Sequence, residues 1–123
     1  MSYKKLEIYQ LAREISIKVH HMTLTELPDF EMYEEGRQIR KSSKSARSTI
    51  VEGYGRRRYK NEFIHFLTYS IASNDETRDH LDTLYETKSL KNKKLYHELS
   101  DLIDHLGIAL NHFLNSVIKR HNT

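Results

Sequence analysis

Apolar residues recur along this chain every three to four positions, and at 100° per residue they gather on one side of each of four predicted helices. The first stripe is Ile8, Leu11, Ala12, Ile15, Val19 and Met22. It predicts a helix from about Lys5 to about Glu26, ended by Pro28, which has no N–H to give and whose ring clashes with the preceding turn. A second stripe, Met32, Gly36, Ile39, Ser43, Ala46, Ile50 and Gly53, follows a plausible cap at Pro28-Asp29 and ends near Gly53-Tyr54-Gly55. The third and longest runs through Tyr59, Phe63, Phe66, Leu67, Ser70, Asn74, Thr77, Leu81, Leu84 and Tyr85, and the Lys88 to Lys94 stretch interrupts it. The last comprises Leu95, Leu99, Leu102, Leu106, Ala109, Leu110, Phe113 and Val117. Four amphipathic helices on short connections pack against their chain neighbours, so the expected fold is all-α, an antiparallel up-down four-helix bundle spanning 1–123 as one domain.

The second stripe is unusually small, and Ser42, Ser45 and Thr49 extend it. Such a face lets another backbone approach closely, either a helix of the same subunit or one across a subunit interface. Ser70 and Asn74 interrupt the third stripe. Buried without partners they would each cost about 1 to 3 kcal/mol, so they are expected to pair with helix two or a neighbouring subunit. Tyr9, Ile17 and Leu24 lie away from the main stripe of helix one, a weak pointer to self-association.

A chain of 123 residues has room for one core and no second domain. Four glycines and one proline are too few for the turns of an all-β domain. The absence of cysteine removes disulfides, thiolate nucleophiles and cysteine-based zinc sites, and fits a reducing compartment. The start, Met1-Ser2-Tyr3-Lys4-Lys5, leads straight into an amphipathic pattern, and no apolar run approaches the ~20 residues that cross a membrane. The expected location is therefore the cytoplasm, with no membrane partner.

Charge changes the picture more than composition does. Between Arg37 and Lys60 stand nine basic residues, Arg37, Arg40, Lys41, Lys44, Arg47, Arg56, Arg57, Arg58 and Lys60, against one acid, Glu52. The remainder of the chain is net acidic. On a helical wheel the first five share an arc of about 120° opposite the core stripe, and the arginine triplet follows at the helix end. A continuous basic ridge with nothing local to neutralise it attracts polyanions, whose phosphates release condensed counterions on docking. Tyr54 and Tyr59 flank the triplet, where an unpaired base could lie. A ridge of this kind reports phosphate affinity and carries no base specificity.

Catalytic and metal chemistry find little support. A carboxylate-bridged di-iron bundle needs paired Glu-x-x-His units, and only Glu62 and His65 fit, on different sides and off the core stripe. His105 and His112 sit near the edge of the helix-four face, as boundary residues do. No glycine-rich phosphate loop or nucleophile elbow is present, and Gly53-Tyr54-Gly55 lacks the P-loop pattern. No enzyme activity, cofactor or metal is expected.

Two segments resemble the four-helix-bundle proteins encoded in intervening sequences of bacterial 23S ribosomal RNA genes, a group also labelled a ribosomal protein family. The first is Gln38 to Ser45 followed by Ile50-Val51-Glu52-Gly53-Tyr54-Gly55-Arg56, similar to that family's glutamine, basic pair, serine and Asn-Ile-Ala-Glu-Gly turn. The second is Glu62-Phe63-Ile64-His65-Phe66-Leu67 with Ser73 and Glu76. Thr49, Ala72 and Asn74 stand where the family usually has asparagine, glycine and leucine. The resemblance implies a ring-like homopentamer, and distant relatives of this architecture are nucleic-acid-binding accessories to reverse transcriptases. The expectation is a non-enzymatic, oligomeric bundle that binds RNA or DNA through the ridge; the alternative is an oligomeric scaffold for a protein partner.

Overall fold

The computed structural model describes residues 2–121, with the backbone alone for the last of them. A short 3-10 turn, Tyr3–Lys5, leads into α1 (Glu7–Thr25); a second turn, Asp29–Tyr33, precedes α2 (Glu35–Gly55); α3 (Lys60–Glu86) and α4 (Lys93–His121) follow. Packing goes round in a ring: α1 touches α2 and α4, and α3 touches α2 and α4. Leu6, Tyr54, Phe63 and Val117 meet at one end, bringing together the start of α1, the end of α2, the start of α3 and the end of α4. Glu26, Ser89 and Asn92 gather at the other end. Consecutive helices therefore run in opposite directions, and the molecule is the expected four-helix bundle.

The core is continuous along the bundle. Ile15, Val19, Met22, Ile39, Ile50, Leu67, Leu81, Leu84, Leu99, Ile103, Leu106 and Leu110 are all essentially inaccessible to solvent. Each contributes about 1.5 to 3 kcal/mol by leaving water. Outside the core, Lys18 of α1 reaches Glu98 of α4, and that hydrogen bond holds the Glu98 carboxyl below its ordinary range.

Helix two begins later than its stripe predicts. Met32 has the right phase but lies in the 3-10 turn, because Glu34 adopts φ −113° and ψ −118° and breaks the helix there. Neither Pro28 nor Glu34 caps through its side chain. The buried Glu31 does that work: one carboxylate oxygen accepts the N–H of Glu35 at 3.2 Å, and the other accepts the Ser89 hydroxyl from the α3–α4 connection. At the opposite border, Lys88 takes a left-handed φ of 67° to end α3, and the Asn92 side chain accepts the Leu95 N–H at 3.0 Å to start α4.

The small face of α2 is a close crossing onto α3. The Ser70 hydroxyl donates to the Ala46 carbonyl at 2.7 Å, the Thr77 hydroxyl lies 2.8 Å from that of Ser42, and the Ser45 and Ser73 hydroxyls are 3.0 Å apart. Ser70 thus pairs with α2 as expected. Asn74 does not: its amide donates to the Ile103 carbonyl on α4 at 2.9 Å, because Gly107 leaves room for it there. Tyr9 also departs from expectation. It is buried, edge-on to Tyr3, whereas Ile17 and Leu24 do stand exposed.

Two glycines of α2 have opposite environments. A Cβ on Gly36 would lie 2.4 Å from the Glu31 carbonyl, while one on Gly55 would meet nothing within 4 Å. Gly36→Ala should lower the unfolding free energy by about 1 to 3 kcal/mol through overpacking, despite a helix-propensity gain of about 1 kcal/mol. Gly55→Ala should raise it by up to about 1 kcal/mol. Urea denaturation of the two variants checks both signs.

Candidate nucleic-acid interface

An α-helix presents its outward stripe every three to four residues, and on α2 that stripe reads Arg37, Lys41, Lys44 and Ser48, all exposed. The three cations span about 10 Å along the axis. They make no hydrogen bond or ion pair among the described residues. Like charges at this spacing repel one another by about 0.2 to 0.5 kcal/mol per pair, and no acid on α2 offsets them here.

Arg40 and Arg47 do not share that surface, although the wheel puts them in the same arc. Both are half-buried, since an arc of about 120° is wide enough for one edge to turn toward a neighbouring element. Arg40 reaches back to the 3-10 turn and donates to the Met32 carbonyl at 2.6 Å, leaving its second terminal nitrogen buried with no partner among the described residues. Arg47 lies across α1, donating to the Tyr9 hydroxyl at 3.0 Å and the Ser16 hydroxyl at 3.3 Å, with its guanidinium 5.5 Å from the Tyr9 ring centre. This explains the buried tyrosine of α1: it is the floor under an arginine.

The arginine triplet is likewise divided. Arg56 is neutralised locally, contrary to expectation, donating to Glu52 at 3.0 Å and to Glu62 at 2.8 Å, and these hydrogen bonds raise its already high pKa. It clips the end of α2 to the start of α3, and its guanidinium stands 5.3 Å from the Phe66 ring. Arg57 donates to the Tyr54 carbonyl and stacks 4.2 Å from the Tyr54 ring centre; Arg58 lies 5.7 Å from the ring of exposed Tyr59. Both remain exposed. Lys60, the first residue of α3, is half-buried and engaged by a neighbour. The structure therefore brings together two groups of accessible cations, Arg37, Lys41 and Lys44 on the helix and Arg57 and Arg58 at its end, interrupted by the Glu52–Arg56–Glu62 cluster.

Sequence reasoning missed the aromatic side chains next to this surface. His65 and Tyr69 are exposed on α3, Tyr69 to 54 %, with ring centres 6.2 Å apart. Their i, i+4 spacing off the core stripe was the available signal. Glu62 accepts from Arg56; among the described residues no three metal-binding side chains come together. A groove of about 500 Å³ lies elsewhere, between α3 and α4, where Arg78 is held by Asp82 and Asp104. The exposed acids Asp75 and Asp104 line that groove. No described helix is long and apolar enough to cross a membrane.

No curated protein shows significant similarity to the chain. A solved structure does: the crystal structure of a protein of unknown function from the S23 ribosomal protein family of Bacteroides thetaiotaomicron superposes with a TM-score of 0.79, covering 88 % of this chain and 95 % of that one. At 16 % identity the likeness establishes the fold alone. Residues 4–112 match the family described as 23S rRNA-intervening sequence protein. Since the match takes in the cationic stripe, the arginine triplet and all but the end of α4, the chain belongs to the 23S rRNA-intervening sequence protein family.

Proposed function

We propose that the protein is a non-enzymatic nucleic-acid-binding bundle that works as an oligomer, its phosphate contacts made by Arg37, Lys41, Lys44, Arg57 and Arg58. The observation that carries this reading is the free outward stripe of α2. Arg40, Arg47 and Arg56 find partners within the fold, yet three cations between them are left exposed, unpaired and mutually repulsive. A phosphate backbone relieves that repulsion and releases counterions as it docks. Several copies, five by family resemblance, would repeat the stripe, and avidity among weak sites raises affinity without any new contact. The reading as a protein scaffold draws on Ile17 and Leu24, 48 % and 53 % exposed on α1.

Salt dependence tests the stripe. Replacing Lys41 and Lys44 together by glutamine should flatten the slope of log affinity against log salt by roughly 1.8 units per engaged protomer on duplex DNA, or roughly 1.4 on a single strand. The change in stability should stay within about 0.5 kcal/mol, because both side chains are exposed and unpaired. A folded variant with undiminished affinity and slope removes the stripe as the site and favours the scaffold reading.

Arg47→Ala provides the contrast. It strips the charged donor from Tyr9 and Ser16 and should cost about 1 to 3 kcal/mol in thermal or urea unfolding, with the salt slope unchanged. Light scattering measures the assembly, whose mass should be a multiple of the 14.7 kDa protomer.

A further inference from the structure

The surface next to the cationic stripe is aromatic. Tyr69 stands one turn before Ser73 on α3, and Ser73 meets Ser45 of α2 at 3.0 Å across the seam. Because the two helices run in opposite directions, Tyr69 falls beside Ser48, one turn beyond Lys44. The ring is more than half exposed, yet it is braced: Phe66 meets it at 5.9 Å and 89°, and His65 lies 6.2 Å away at a shallow 32° tilt. Phe66 in turn lies under the Arg56 guanidinium, which also binds the Glu52 and Glu62 carboxylates. One of the two negative charges flanking the rings is thus offset by an internal cation. Acid returns past the Ser45–Ser73 contact, at exposed Glu76.

A positively charged track beside fixed, exposed ring faces is the arrangement that holds unpaired nucleotides, whose phosphates follow the charge while bases stack on the rings. A duplex cannot use the second half of it, because its bases are already stacked and paired. We infer that the α2–α3 face selects single-stranded nucleic acid, with Lys41 and Lys44 on the phosphates and a base stacked on Tyr69 beside His65. The inference rests on the nucleic-acid reading above and narrows its ligand to one class. The hydroxyls of Ser45, Ser48 and Ser73 line the seam between cation and ring, where they can hydrogen-bond sugar or phosphate oxygens without selecting a base.

The test compares labelled oligo(dT) and oligo(rU) of about 15 nucleotides with a duplex of the same length by fluorescence anisotropy. Tyr69→Ala should weaken single-strand binding at least about five-fold and leave duplex binding unchanged, and Tyr69→Phe, which keeps the ring, should restore it. The chain has no tryptophan, so Tyr69→Trp introduces a single reporter whose emission should be quenched by the single strand alone. If Tyr69→Ala retains single-strand affinity while the Lys41 and Lys44 double variant loses it, stacking is overturned and the phosphate site stands. A smaller mass of Tyr69→Ala in light scattering would make the ring a subunit contact and overturn the inference. Failure of the unaltered protein to bind any of the three probes overturns both readings together.

Discussion

The close approach of α2 and α3 is the constraint on which the remainder of the structure depends. Gly53 sits where a Cβ would be 2.9 Å from that of Phe66, and a row of serine and threonine hydroxyls replaces the branched side chains of an ordinary helix contact. Because this face is small and satisfied by hydrogen bonds, it contributes less apolar burial than a leucine seam of the same length. The deficit is met by α4 and α1, whose leucines, isoleucines and valines fill the opposite side of the core. The same closeness determines the surface, since it sets the outward stripe of α2 next to the outward stripe of α3 with only a line of hydroxyls between them.

A second constraint operates at the end where α1 hands over to α2. A buried carboxylate is costly unless its oxygens are bonded, and Glu31 has both engaged, one by the first N–H of α2 and one by Ser89. Gly36 then packs directly on the Glu31 carbonyl, and Arg40 reaches the next carbonyl in the same turn. Three residues that look unrelated in sequence thereby fix where α2 begins and hence the register of its cations. The His80 side chain, 2.8 Å from Glu35, extends this junction onto α3.

Helix number, order and core were legible because they follow from hydrophobic period alone, and the small stripe of α2 announced a close crossing. Periodicity could not see Glu31, which removes Met32 from the helix by a tertiary hydrogen bond to a residue far along the chain. Nor could it tell which polar member of a buried stripe pairs with which neighbour; Ser70 chose α2, but Asn74 chose α4 because Gly107 lies opposite. At the candidate site the wheel located the charges and overestimated how many are free. An arginine side chain is long enough to fold over the edge of its helix, and three of them do so, Arg40 toward the preceding turn, Arg47 toward Tyr9 and Arg56 toward Glu62.

That division between tied and free cations is itself informative about geometry. Arginine is suited to internal clamps because its planar fork satisfies several acceptors while stacking on a ring, and Arg47 and Arg56 both do this, on Tyr9 and Phe66. Lysine is a strongly hydrated point charge on a flexible stem, suited to following a backbone whose phosphates shift. The free stripe of α2 contains both lysines of the helix, Lys41 and Lys44, and a single arginine, Arg37, while the inward-folded positions are all arginine. On α2 itself the cations folded inward are arginines and both lysines face solvent, where Arg37, Arg57 and Arg58 join them. The lysines of such a surface read phosphate spacing loosely and base identity not at all. On the single-strand inference, selectivity at this face comes from the exposed ring pair next to it, His65 and Tyr69, which offers a stacking surface to an unpaired base.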